Sequence, residues 1–264
     1  MKITEISPIS LNKLFINKYK FTFTFISLLI FSSSVFAQDS KLQVSVPSFA
    51  PFNSFTENPN CSGTSIIALQ KITENLNIDL KFIEYPYARI LHALKSADLD
   101  LALIFKNSSI KNAADYLGPV SYSKVVIISQ PHIKIDIYDD LYALNNIVVI
   151  RNAQFEEKFD QDAKLNKANV DNYKQAVNML KHGRVDAVIG SLVGIEYALH
   201  QEKMSKEFLA QSFSLGKKEW GLHLAKESKF FKLKPRLIEA VNQNYQADLI
   251  HQLYQQQVKT CLEH

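Results

Sequence analysis

The chain has 264 residues, 47% of them hydrophobic and 21% charged, with two cysteines and a formal net charge of +4. This is a globular composition, neither disordered nor disulfide-dense. The positive balance belongs to the first 37 residues: without Lys2, Lys13, Lys18, Lys20 and Glu5 the remainder carries 26 basic against 25 acidic residues, which gives no ground for a nucleic-acid or acidic-membrane partner.

Those first residues have a secretory layout. Lysines precede an uncharged apolar run from Phe21 to Phe31, and Val35-Phe36-Ala37 places small residues at the third and first positions before a cut. The layout predicts a signal peptide over residues 1–37, cleavage after Ala37 and a periplasmic product. The apolar run is shorter than the roughly 20 residues that span hydrocarbon, which argues against an anchor. No cysteine lies near the cut to carry a lipid. Leu262 to His264 read equally as native sequence or as an added tail.

Beyond the leader, short apolar strands alternate with helical patterns, the signature of an α/β fold with mostly parallel strands. Gln43 to Val46 reads as a strand. Ser62 is placed to cap a helix carrying Ile66, Leu69, Ile72 and Leu76. A strand over Leu80 to Tyr85 follows, and Pro86 then opens a helix with Tyr87, Ile90, Leu91 and Leu94 along one face. Leu99 to Phe105 and Val125 to Ile128 are further buried strands, and Pro131 marks the exit from a first lobe.

A second unit repeats the grammar with strand Ile147 to Ile150, a helix around Gln154 to Asp160, and a helix carrying Tyr173, Ala176, Val177 and Leu180. Gly183 ends that helix, and strand Ala187 to Ile189 follows. Trp220, Leu222 and Leu224 alternate as in a strand, and Pro235 begins a long helix reaching Leu249. This tail has no partner in the second unit, so it is expected to return to the first. The expected division is residues 38–129 and 216–264 in lobe 1 and residues 130–215 in lobe 2, hinged at Ser129 to Pro131 and Leu215 to Lys217. A monomer is expected.

Motifs of catalysis are scarce. The seven glycines form no phosphate loop or dinucleotide fingerprint, so no nucleotide cofactor is expected. The seven histidines show no i, i+4 pair and the cysteines are far apart, so neither is a metal site. Gly190-Ser191-Leu192-Val193-Gly194 has its serine in the wrong place for a nucleophile elbow. Cys61 and Cys261 reach an oxidising compartment if the chain is exported, and a bridge between them is the expectation; two unpaired thiols are the alternative, since sequence supplies no distance.

The stretch from Tyr87 through Arg89 and Leu94 to Asp100 resembles the aromatic, helical, "SGxxD"-terminated segment of family 3 extracellular solute-binding proteins. Pro51-Phe52 is similar to that family's "PPF" segment, Gly118 to Tyr122 to its "FSxPY" segment and Gly183 to Val188 to its "GRVDAV" segment. The resemblance implies a type II periplasmic-binding fold, α/β, with two lobes closing on a small-molecule ligand about a hinge. It implies as partner a membrane permease of ABC type, or a membrane sensor. A dehydratase or cell-wall lytic enzyme on the same scaffold is the remaining alternative, with Glu84 as its best-placed acid.

The same resemblance marks two departures. The position that carries a carboxylate-clamping arginine in amino-acid binders is Asn112, with Lys111 beside it as a weaker point charge. The position that carries the amine-binding acid is Ser191. Phe52, Tyr87, Phe105 and Tyr122 are the aromatic candidates for the cleft, and Arg89 and Arg151 the candidates for an anion. Together they point to a small polar or ring-containing ligand, with Tyr87 stacking on it and Arg89 meeting its charge.

Overall fold

The computed structural model describes residues 41–56 and 60–262. The expected leader and its cut at Ala37 lie outside the described residues, as do Glu263 and His264.

Strand β1 (Leu42–Ser45) leads into a loop carrying Phe49, Phe52 and Phe55, and then into helix α1 (Thr64–Thr73). Gly63, not Ser62, is its N-cap. The first helical N–H groups are satisfied by the loop, Thr64 N donating to Pro51 O at 2.8 Å and Ser65 N to Phe52 O at 3.0 Å. A Cβ at Gly63 would lie 2.2 Å from the Phe52 carbonyl oxygen, so this close approach requires glycine. Strand β2 (Leu80–Phe82) follows, then helix α2 (Tyr87–Ser96), which buries Tyr87, Ile90, Leu91 and Leu94 and starts with Pro86 as its N-cap rather than its first residue.

Strand β3 (Leu101–Phe105) is buried throughout. Strand β4 (Ala114–Ser129) is 16 residues long and runs straight through Gly118-Pro119. Register shifts between Tyr116 and Gly118 and between Pro119 and Ser121 accommodate the proline that has no N–H to give the ladder.

The next segment holds β5 (Ile147–Ile150), the short helix α3 (Glu157–Gln161) and β6 (Lys167–Val170). Helix α4 (Tyr173–Lys181) is capped by Asn172, whose side chain accepts from Gln175 N at 2.8 Å, and it is followed by Gly183 at φ +65°. Then come β7 (Ala187–Ser191), α5 (Leu192–Gln201), α6 (Glu207–Ala210) and β8 (Phe213–Ala225). The expected single C-terminal helix is two, α7 (Lys234–Asn244) and α8 (Leu249–Cys261).

The eight strands of the described residues join one sheet in the order β2-β1-β3-β8-β4-β7-β5-β6. Pairings toward both edges are parallel, whereas β3 with β8, β8 with β4, and β4 with β7 are antiparallel. The sheet is therefore mixed rather than mostly parallel. Strands β4 and β8 pair along almost their whole lengths and belong to both halves. β8 pairs with β3 over Trp220–Leu224, and β4 pairs with β7 over Val125–Ser129, with a register shift at Val125 and Val126. The β-branched run Val125–Ile128 thus pairs with the half that holds β5 to β7, and β4 gains β7 as a second partner from Val125 onward.

The C-terminal helices pack on the half that holds β1 to β3. Leu237, Val241, Ile250 and Tyr254 are buried, Tyr122 N donates to Ala247 O at 2.8 Å, and Ile250 N donates to Ser121 Oγ at 3.1 Å. Cys61 and Cys261 form a disulfide with Cα atoms 6.1 Å apart, tying α8 to the segment ahead of α1.

Candidate functional site

A run of buried rings crosses the middle of the sheet. Trp220 on β8 lies 4.8 Å from Phe52 and 4.4 Å from Phe105, and its indole N–H donates to Ser123 Oγ at 2.8 Å. From the β5–β7 half, Phe155 meets Phe105 at 6.3 Å and Tyr173 meets Phe49 edge-on at 5.5 Å. Tyr173 fits there because Gly190 and Gly194 have no side chains to oppose its ring, and its hydroxyl accepts from Ser191 N at 3.0 Å. Burial pushes that hydroxyl up to about 12. Polar contacts cross the same seam: Asn107 Nδ2 donates to Asn152 O at 3.0 Å, Ser108 N to Gln154 Oε1 at 2.7 Å, and the Tyr197 hydroxyl to Phe55 O.

The packed rings fill the middle of the seam, and room opens to the side. Two chambers open beside the Asn107–Asn152 contact, one of about 500 Å³ and one of about 540 Å³. The first is walled on one side by Lys106, Asn107, Lys111, Asp115, Tyr116 and His223, and on the other by Gln154, Glu157 and Asp160, with Lys218 between them on β8. The second lies between the α2 face of His92 and Lys95 and the segment Asn152 to Phe155, with Phe159, Asp160 and Lys167. Both volumes suit a small solute.

The first chamber carries a distinct electrostatic pattern. Glu219 gathers a network, accepting from Tyr116 Oη at 2.7 Å and Tyr122 Oη at 3.4 Å and pairing with Lys106 at 3.2 Å. Burial alone would raise its carboxyl, but those donors outweigh it and hold it below the ordinary value. Tyr116 is correspondingly raised, by burial and then by donating to Glu219. Asp115 is held low by its hydrogen bond from Lys234 at 2.5 Å. His223 is buried, its Nδ1 donates to Gly221 O at 3.1 Å, and its Nε2 has no partner; burial lowers it to about 4. Lys218 is lowered by burial, which the nearby Asp160 opposes, and Asp160 is raised by burial, which the Phe155 N–H and Lys218 oppose.

The residues singled out in the sequence fall into three groups. Phe52, Phe105 and Ser191 are buried at the seam, with Ser191 Oγ capping α5 by accepting from Gly194 N at 3.2 Å. Lys111 is exposed on the wall of the first chamber. The others line neither chamber. Tyr87 is buried with an unpartnered hydroxyl, which burial raises against the lowering effect of nearby Asn107. Arg89 is exposed over the Tyr85 ring at 5.7 Å, and Arg151 is exposed in an ion pair with Asp171 at 3.2 Å. Tyr122 joins the Glu219 network, and Glu84 is exposed, accepting from Asn53 Nδ2 at 3.5 Å. Tyr116, Asp160, Tyr173, Lys218 and His223 were not anticipated. Lys218 and His223 lie opposite Ser123 and Tyr116 of β4, a pairing that the alternation of Trp220, Leu222 and Leu224 does not announce.

Among the described residues no group of His, Cys, Asp and Glu is placed to hold a metal ion, and no helix is long and apolar enough to cross a membrane.

Two groups of parallel strands joined through two long antiparallel strands, with chambers beside the junction, define the type II periplasmic-binding fold. The chain belongs to the bacterial extracellular solute-binding proteins, family 3, whose sequence profile matches residues 42–256. Among solved structures it is similar to a mutant of ArgBP from T. maritima, with 17% identity and a TM-score of 0.63 over 86% of this chain and 96% of that one. An ancestral arginine-binding protein bound to arginine matches with 21% identity and a TM-score of 0.63 over 83% and 97% of the two chains. An arginine 3rd transport system periplasmic binding protein from Legionella pneumophila matches with 18% identity and a TM-score of 0.62 over 82% and 98%. No curated protein sequence matches significantly.

Proposed function

We propose that this protein is a monomeric periplasmic capture protein that closes two lobes around a small polar solute and delivers it to a membrane permease of ABC type. Lobe 1 comprises residues 41–124 and 218–262, and lobe 2 residues 125–217, with the crossing strands β4 and β8 as the hinge. The observation that carries this reading is the chamber of about 500 Å³, whose walls come from both sides of the crossing. A solute seated there contacts both lobes at once and so favours the closed state by its differential affinity. Reversible binding is then the whole chemistry.

The names of the similar structures favour an amino-acid-like solute. The ring seam favours a compact polar ligand over a stacked aromatic one, because the protein's own rings fill the space around Trp220.

Thermal-shift screening of the purified protein against a broad metabolite library tests the reading. A solute at a hundred times its Kd stabilises by about 2.7 kcal/mol, a rise of roughly 5–10 °C for a chain this size. Small-angle scattering should then show a decrease in the radius of gyration. A library in which no compound raises the melting temperature overturns the proposal.

A further inference from the structure

Phe55, the last of the three phenylalanines that follow β1, joins the two lobes outside the chambers. Its buried ring lies between two buried tyrosines: Tyr197 on α5 of lobe 2, at 4.9 Å and 65° to its plane, and Tyr254 on α8 of lobe 1, at 5.8 Å. The Tyr197 hydroxyl donates to the Phe55 carbonyl oxygen, so ring and backbone both make the crossing. None of the three residues lines either chamber. The contact is therefore made by the protein alone, whatever solute the chambers take.

The footing of Phe55 is covalent. Its N–H donates to Cys61 O at 2.8 Å, Ser54 and Ser62 pair as an isolated antiparallel bridge, and Cys61 is bonded to Cys261 at the end of α8. Tyr254 and Cys261 lie about two helical turns apart, on one face of α8. The disulfide thus pins the Phe55 segment on one side, and on the other it holds the helix whose Tyr254 supports the ring.

We infer that Phe55 is a latch on Tyr197 that lowers the cost of closing the lobes, and that the Cys61–Cys261 bridge keeps it set, so that a dithiol reductant weakens capture without touching the chambers. The inference rests on the two-lobed capture reading above and adds a control to it. Opening exposes the facing sides of two buried rings and breaks one hydrogen bond, which favours the closed form by about tenfold. The apparent affinity of a solute that binds the closed form falls with the closed fraction. Reduction moves two electrons and two protons from the dithiol to the bridge, giving the Cys61 and Cys261 thiols and a cyclic disulfide of the reductant.

The one tryptophan of the chain reports closure without a solute, because Trp220 is buried in the seam. Small-angle scattering and acrylamide quenching of Trp220 are therefore compared in the protein alone. Phe55→Ala with the bridge intact should lower the closed-to-open ratio about tenfold, seen as a larger radius of gyration and stronger quenching, while Phe55→Leu stays closer to the parent. Tyr197→Ala replaces Phe55→Ala if the latter does not fold. Dithiothreitol should open the parent in the same way and leave Phe55→Ala where it is, since the bridge acts through the latch; a bridge that only stabilises the fold would act on both. Where reduction unfolds the chain, shown by loss of far-UV circular dichroism, Tyr254→Ala with the bridge intact takes its place and should open the parent. A Phe55→Ala protein with the parent's radius and quenching overturns the inference, as does a folded, reduced parent that stays closed. If a library solute then still raises the melting temperature, the latch is wrong and capture stands. If no variant opens and no library solute raises it, capture fails as well.

Discussion

Replacing Gly190 with alanine tests the packing of the seam most directly. An added Cβ would lie 2.1 Å from Cε1 of Tyr173, against the roughly 3.5–4.0 Å at which carbon atoms pack best. The ring has nowhere to retreat. A Cβ on Gly194 would lie 2.3 Å from the opposite edge, and Phe49 and Phe52 stand 5.5 and 6.5 Å from its centre. Gly190→Ala should therefore cost about 2–3 kcal/mol, the upper part of the range for overpacked cores. For a chain this size that lowers the melting temperature by roughly 4–12 °C. Urea denaturation and calorimetry measure it. Tyr173→Ala alone should cost about 3–5 kcal/mol, since it removes a buried ring and leaves the Ser191 N–H without its acceptor. The double variant should be at least about 1 kcal/mol more stable than the sum of the singles predicts, because the new methyl group enters the space the ring has left. A Gly190→Ala protein within about 0.5 kcal/mol of the parent, or strictly additive variants, would refute the reasoning.

Acid should weaken the fold through His223. Its pKa is lowered to about 4, so between about 6.5 and 4 the unfolded chain holds the extra proton and stability rises with pH. The contribution, on the order of 3 kcal/mol, is present above pH 6.5 and lost as pH falls to 4; His223→Gln should flatten the urea midpoint across that window, and an unchanged slope rejects the assignment. Removing both Cys61 and Cys261 opens a covalent loop spanning 200 residues and should cost up to about 5 kcal/mol by loop-closure entropy. A melting temperature indifferent to reductant counts against it. Trp220→Phe deletes the donor to Ser123 and part of the ring contact, for about 1–3 kcal/mol; adding Ser123→Ala should then cost little more, and full additivity would show that the two side chains are not coupled.

Where local chemistry dominates, the sequence was legible. The β-branched run Ile147–Ile150 is a strand to the residue, and the helix carrying Tyr173, Ala176, Val177 and Leu180 ends ahead of Gly183. Where long-range contacts decide, it was not. The break between α7 and α8 contains no glycine or proline; it is held by Gln246 N on Val120 O and Tyr122 N on Ala247 O, contacts no helical pattern encodes. Nothing in Gly118-Pro119 announces a strand interior, yet register shifts keep the pair within β4. The ring residues Phe52 and Phe105 and the cysteine pair were recognisable by type. Lys218 was not, because Lys217-Lys218-Glu219 looks like any solvated charge run until β4 and β3 are set beside it. Arg89 shows the converse: its place beside Tyr87 suggested a clamp, whereas the helix turns the side chain toward Tyr85 and solvent.

The bridge between Cys61 and Cys261 also orders events in time. The chain is made from its amino end at roughly 5–20 residues per second, so Cys61 waits roughly 10–40 s before its partner exists. With two cysteines in the whole sequence, only one intramolecular pairing is available and none needs to be reshuffled. Oxidation therefore reports that α8 has been made: a molecule that stops short of Cys261 keeps its thiol at residue 61, and one that carries the bridge does not.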